Sequence, residues 1–132
     1  MEEKNGFIFV MPNPDLTFDI DDVLAGLDTH LSGFGLSDHY YLGAEQVHTD
    51  FSWKLNMDTF HEFYHFESLH SDSIAQMAYN NLGTYHQFGR NHAMGSASLE
   101  ITELNGIPED QWNPRKYTSH VNYIFPNTVI FV

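Results

Sequence analysis

Apolar positions in this chain follow two spacings, and the switch between them marks its elements. Gly6 to Val10 (GFIFV) is a short β-prone run closed by Met11-Pro12-Asn13-Pro14-Asp15, the pattern of a buried strand and its exit. Asp19, Asp21 and Asp22 precede Val23, Leu24, Leu27 and Leu31, which predicts a helix with an acidic start and a stop at Gly33 and Gly35. Tyr40 to Phe51 alternates loosely and carries aromatic and β-branched residues, so a strand is expected there. From Trp53 to Phe66, Leu55, Met57, Phe60, Phe63 and Tyr64 fall at helical steps. A break around Ser68 to Ser71 then leads to a second expected helix, Asp72 to Leu82, ended by Gly83.

Tyr85 to Ala97 fits neither period, and Leu99 to Trp112 predicts a short helix with a second start near Pro108. Tyr117 to Val132 returns to strand character, divided at Pro126-Asn127 into Val121 to Phe125 and Val129 to Val132. Strands and helices mix without regular alternation, which predicts an α+β fold. No repeat or linker divides it, so residues 1–132 read as one domain.

Charge narrows the partners. With 18 acidic against five basic residues, net −13, the surface repels phosphate backbones and anionic lipid, so neither nucleic acid nor membrane is expected to bind. No apolar run approaches the roughly 20 residues that span a bilayer, and the chain reads as cytoplasmic. The absence of cysteine excludes disulfides, thiolate zinc and cysteine-ligated clusters within this chain. An aromatic content of 15% argues for a real core or an apolar pocket.

Candidate chemistry concentrates in His61-Glu62-Phe63-Tyr64-His65-Phe66-Glu67-Ser68-Leu69-His70, which holds three histidines and two carboxylates. Imidazole and carboxylate together suit Fe(II), Zn(II) or Mn(II). His61-Glu62-x-x-His65 fits the H-E-x-x-H pattern, in which two histidines share a helix face and the Glu acts as general base of a zinc peptidase. The step from His65 to His70 is one residue short of the spacing of a third zinc ligand, and the required glycine is absent. The alternative pair, His65 and His70, stands about 140° apart on a regular helix and can share a metal only where the helix ends or distorts. Glu67-Ser68-Leu69 ahead of Ser71-Asp72 supplies such a break, so this pair predicts a site at a helix end.

The run Trp53-Lys54-Leu55-Asn56-Met57-Asp58-Thr59-Phe60-His61-Glu62-Phe63-Tyr64-His65-Phe66-Glu67-Ser68-Leu69-His70 closely resembles the iron-binding helix of the Rieske non-haem iron oxygenase (aromatic-ring-hydroxylating dioxygenase) α-subunits. Gly6 to Val10 is similar to the strand where that family's Rieske domain hands over to the catalytic domain, and Tyr123 to Asn127 to a later sheet strand of the catalytic domain. The resemblance implies a helix-grip catalytic domain with a curved antiparallel sheet. It makes His65 and His70 two ligands of a mononuclear Fe(II), Glu62 the carboxylate bridge to an electron donor, and Thr59, Phe66 and Leu69 pocket residues. His61 is then not a ligand.

The family's Rieske 2Fe-2S cluster needs cysteines, so that cluster is expected in a parent enzyme and not in this chain. The third ligand, a carboxylate, is expected beyond Val132, so the chain reads as the front part of the catalytic domain, inactive by itself. The implied partners are a small organic substrate, dioxygen, a Rieske domain of the same or a neighbouring subunit, and a ferredoxin or reductase, within a homo-oligomer (trimer). The implied reaction is hydroxylation, cis-dihydroxylation or oxidative dealkylation, with aromatic acids and alkylammonium compounds equally open as substrates. A non-catalytic helix-grip module that binds a small apolar ligand and an H-E-x-x-H zinc peptidase stand as alternatives. His30, His39, His48, His86, His92 and His120 are read as ordinary core or surface residues, and Phe60, Phe63, Tyr64 and Phe66 as a core stripe.

Overall fold

Asn5 and Gly6 both take positive φ, 53° and 81°. That conformation suits a two-residue hairpin turn and pairs β1 (Glu2–Lys4) antiparallel with β2 (Phe7–Phe9) in the computed structural model, which describes residues 1–132. The apolar run at Gly6 to Val10 is therefore the second arm of a hairpin. Lys4 anchors this hairpin by an ion pair to Asp21 at 2.5 Å, and Asn5 Nδ2 donates to the Asp28 carbonyl at 3.0 Å.

The helix expected across Val23 to Leu31 is two helices, α1 (Ile20–Leu24) and α2 (Leu27–Ser32). Asp19 caps α1 by accepting from the Asp21 N–H at 2.8 Å. Ala25 then turns left-handed at φ 52° and Gly26 follows at φ 97°, which stops one helix and starts the next. The apolar spacing survives the break: Ile20, Leu24, Leu27 and Leu31 are all buried and meet Ala93, Ile124 and Ile130 in the main core.

Those last three residues belong to a four-stranded antiparallel sheet in chain order, β3 (Ala78–Phe88), β4 (Asn91–Ser98), β5 (Thr118–Ile124) and β6 (Thr128–Phe131). The α+β class with antiparallel sheets is thus the architecture observed. Ala93, Asn122 and Ile130 are register partners facing α1 and α2. Strand alternation turns Met94, Val121 and Phe131, together with His92 and Tyr123, to the opposite face. One buried polar side chain pins the helical layer to the sheet: Asn91 Nδ2 donates to the Val23 and Leu24 carbonyls at 2.7 and 3.0 Å, and its Oδ1 accepts from Phe125 N–H at 2.9 Å. It satisfies carbonyls that the end of α1 leaves free.

Three further segments differ from expectation. Tyr40 to Phe51 forms no strand; Tyr40, Tyr41, Leu42 and Val47 are exposed and pair with nothing, and β-prone residues make a strand only against a partner. Asp72 to Leu82 is not a helix but a 3-10 turn (Ile74–Gln76) running into β3, because Tyr79, Asn80 and Asn81 favour helix weakly and pairing with β4 captures the segment. Leu99 to Trp112 holds two 3-10 turns, Leu99–Leu104 and Glu109–Gln111, with Pro108 at the cap of the second. Helices are short throughout; no helix is long and apolar enough to cross a membrane.

On the α2 side, His30 and His120 pack with Phe34 and Phe88 at ring separations of 5.1–5.9 Å. Burial lowers the pKa of both histidines below the usual value, and the neighbouring histidine charges, His86 among them, lower them further. With the folded-state values depressed, the unfolded chain binds more protons at pH below about 6.5, so stability is kept above that pH and falls beneath it. Thermal melts should show Tm constant above about pH 7 and falling toward about pH 5.5, before most carboxylates titrate. His120→Asn should flatten that fall, and an unchanged slope would contradict the assignment.

Candidate metal site

The segment that carries the candidate ligands starts as a helix and leaves it early. Ser52 caps α3 (Trp53–Thr59), its hydroxyl accepting from the Lys54 N–H at 3.3 Å. The helix expected to reach Phe66 stops at Thr59, where side chains compete for its carbonyls. Thr59 Oγ1 donates to Leu55 O at 2.9 Å, and Nδ1 of His61 bonds Met57 O at 2.6 Å, which competes with further backbone pairing. Residues 60–64 then cross the sheet, with Phe60 edge-on to Phe131 at 5.2 Å.

One further helical turn, α4 (Phe66–Leu69), separates the two histidines, His65 at its N-cap and His70 at its C-cap. Both lie at a helix end and not on one straight helix, so the 140° problem disappears. Their rings come to 5.2 Å with planes 64° apart. Glu62 grips His65 at two points: one carboxylate oxygen accepts from the backbone N–H at 3.2 Å, and the other hydrogen-bonds ring Nδ1. A carboxylate accepts, so Nδ1 carries the hydrogen, and in the neutral imidazole Nε2 keeps its lone pair. His65 is buried, and its ring edge packs on Phe66 at 5.0 Å.

Thr59, Glu62, His65, Phe66 and His70 line a common small cavity of about 80 Å³, walled by Phe60, Phe63, Ile74, Val121 and Phe131. Leu69 does not join them; it is 72% exposed. Phe63, Phe66, Ile74, Val121 and Phe131 also border a neighbouring cavity of about 370 Å³, which continues the site along the sheet. No group of three His, Cys, Asp or Glu side chains is arranged to hold a metal. Of the aromatic stripe, Phe60, Phe63 and Phe66 face this region and Tyr64 is exposed.

His61 stands elsewhere. It lines a separate cavity, with its ring edge-on to Tyr123 at 5.1 Å and to His92 at 5.9 Å. Because α3 ends before His61, the H-E-x-x-H stretch is not a helical turn, and the shared helix face that a zinc peptidase requires is missing.

Periodicity of α3 and α4 could not show the contribution of the sheet. Val121 and Phe131, with Ile74 from the 3-10 turn before β3, complete the cavity around His65 and His70, while His92 joins Tyr85 and Tyr123 in an aromatic stack. The signal was the cross-strand pairing of His92 with Tyr123, hidden because Tyr85 to Ala97 showed no clear period.

The family model described as ring hydroxylating alpha subunit (catalytic domain) matches residues 36–132. No curated protein and no solved structure gives a match. The matched span contains α3, α4 and the whole four-stranded sheet, and leaves the hairpin, α1 and α2 outside it.

Phe63 owes its place to Gly83 of β3. A Cβ at Gly83 would fall inside contact distance of both the Phe63 ring and the Gly95 carbonyl. Gly83→Ala should therefore destabilise the protein by about 1–3 kcal/mol, the usual range for overpacking. Urea denaturation would measure this, and an unchanged midpoint would mean that Phe63 does not rest on this strand.

Proposed function

Because the chain belongs to the ring-hydroxylating α-subunit family, through the catalytic domain of these oxygenases, we propose that His65 and His70 are two ligands of a mononuclear Fe(II) site that oxidises a small organic substrate. The observation that carries this reading is the convergence of the two imidazoles at 5.2 Å, with Nδ1 of His65 already occupied by Glu62. Rings so placed would serve as the two imidazole ligands of such a metal. The donor set, neutral imidazoles with a carboxylate close by, suits Fe(II).

Fe(II) bound there supplies the redox chemistry that couples reduction of dioxygen to hydroxylation, dihydroxylation or oxidative dealkylation of the substrate. The chain's own residues hold and shield the site. Glu62 fixes the tautomer and orientation of His65 and offers a short polar path for an electron from a Rieske 2Fe-2S domain of the same or a neighbouring subunit. Phe60, Phe63, Phe66 and Phe131 exclude water on the sheet side, and the adjoining cavity of about 370 Å³ has room for an organic substrate. Thr59 stands at the rim, its hydroxyl committed to Leu55 O. In this reading residues 1–132 are part of a catalytic domain whose parent enzyme takes electrons from a ferredoxin or reductase, works in the cytoplasm as a homo-oligomer, and completes the ligand set with a carboxylate.

Anaerobic Fe(II) titration of the protein and three variants tests this. His65→Ala and His70→Ala should each weaken binding at least tenfold, and His61→Ala should leave it unchanged. Loss with His61→Ala and His65→Ala but not His70→Ala would restore the zinc-peptidase reading. Absence of Fe(II) binding in the intact protein would favour a non-catalytic ligand-binding module.

A further inference from the structure

Only five lysines and arginines stand against 18 acids in this chain, so where the cations sit is informative. Lys4 and Lys116 are spent in ion pairs with Asp21 and Glu103, and Arg115, which is unpaired, lies over the Phe34 ring at 5.9 Å and borders the cavity of about 370 Å³. Lys54 and Arg90 make no ion pair, although the protein is rich in carboxylates, and both border the same cavity of about 460 Å³ between α3 and the sheet. Each lies against an aromatic ring: Lys54 Nζ at 5.8 Å from the Trp53 centroid, and the Arg90 guanidinium carbon at 4.7 Å from that of Phe125. Asp58 is the one carboxylate at this cavity, so its rim carries a net positive charge in an otherwise strongly negative molecule.

The walls are flat and aromatic. Tyr85, His92 and Tyr123 stack across three strands, His92 parallel to Tyr123 within 9° at 5.7 Å and to Tyr85 within 29° at 5.3 Å. Tyr85 hydroxyl and His92 Nδ1 hydrogen-bond each other, and the His61 ring is held by the Met57 carbonyl, so these rings have hydrogen-bonded positions before any ligand arrives. None of the residues lining this cavity lines the one that holds His65 and His70.

We propose that this cavity is a second binding site, separate from the His65–His70 site, for a planar aromatic carboxylate. Its ring packs against the Tyr123, His92 and Tyr85 wall, and its carboxylate is taken by Arg90, whose guanidinium presents paired donors, with Lys54 adding charge from α3. The volume admits one or two fused rings. Long-range steering by the rest of the protein opposes an anion, so the recognition is local and close-range.

Isothermal titration calorimetry with 2-naphthoate, and with 2-naphthamide as the uncharged control, tests the site without iron. The carboxylate should bind and the amide should bind at least tenfold more weakly. Arg90→Gln, at an exposed position, should cut naphthoate affinity at least tenfold, and Lys54→Gln should reduce it less. His65→Ala should leave naphthoate affinity unchanged, which separates this site from the proposed iron centre. Equal affinity for carboxylate and amide, no effect of Arg90→Gln, loss with His65→Ala, or no binding at all would each overturn the proposal.

Discussion

The early end of α3 is the constraint on which the rest of the site depends. The His61 ring takes the Met57 carbonyl that its own N–H would need for the next turn, that N–H turns to Asp58 O instead, and the helix ends, with Thr59 Oγ1 back-bonding to Leu55 O just before. Had α3 continued to His70, five residues of helix would have turned the two candidate histidines about 140° apart. Instead the chain crosses the sheet in an irregular stretch. Glu62 captures the His65 N–H and ring there, and one new turn of helix brings His70 back beside His65. The same break sends His61 to a different cavity, so neighbours in sequence serve separate sites.

The sheet divides these roles in space. Its α1–α2 face is closed by Leu24, Leu27 and Leu31 and pinned by Asn91, which leaves that layer as scaffold. Its other face supplies Val121 and Phe131 to the His65–His70 cavity and His92 and Tyr123 to the cationic cavity. Alternation along β5 and β6 therefore does two jobs, placing Asn122 and Ile130 inward on one side while Val121 and Phe131 wall the candidate site on the other.

Much of the site was legible in the sequence because its residues are local. His65, Glu62 and His70 lie within nine positions, and their failure to fit a straight helix already required a helix end. Thr59 and Phe66 reach the same cavity, whereas Leu69, chosen for lying between the histidines, points to solvent because α4 is a single exposed turn. Less of the fold was legible. The final two strands and their division at Pro126-Asn127 were visible from apolar runs and turn chemistry. The β3 strand was hidden, because its residues carry no apolar alternation and gain their structure from pairing with β4. The split of the first helix turned on Ala25 adopting a left-handed conformation, which an alanine does not advertise.

In the proposed site, Glu62 sets the His65 imidazole with its hydrogen on Nδ1 and leaves Nε2 to meet a metal. Long-range 1H–15N NMR of the imidazole nitrogens in the metal-free protein at about pH 8.5, where unperturbed histidines are neutral, reads that tautomer directly. His65 should be protonated at Nδ1, and Glu62→Gln should shift the ring toward a tautomer mixture. A His65 ring protonated at Nε2 in the unaltered protein would contradict this arrangement.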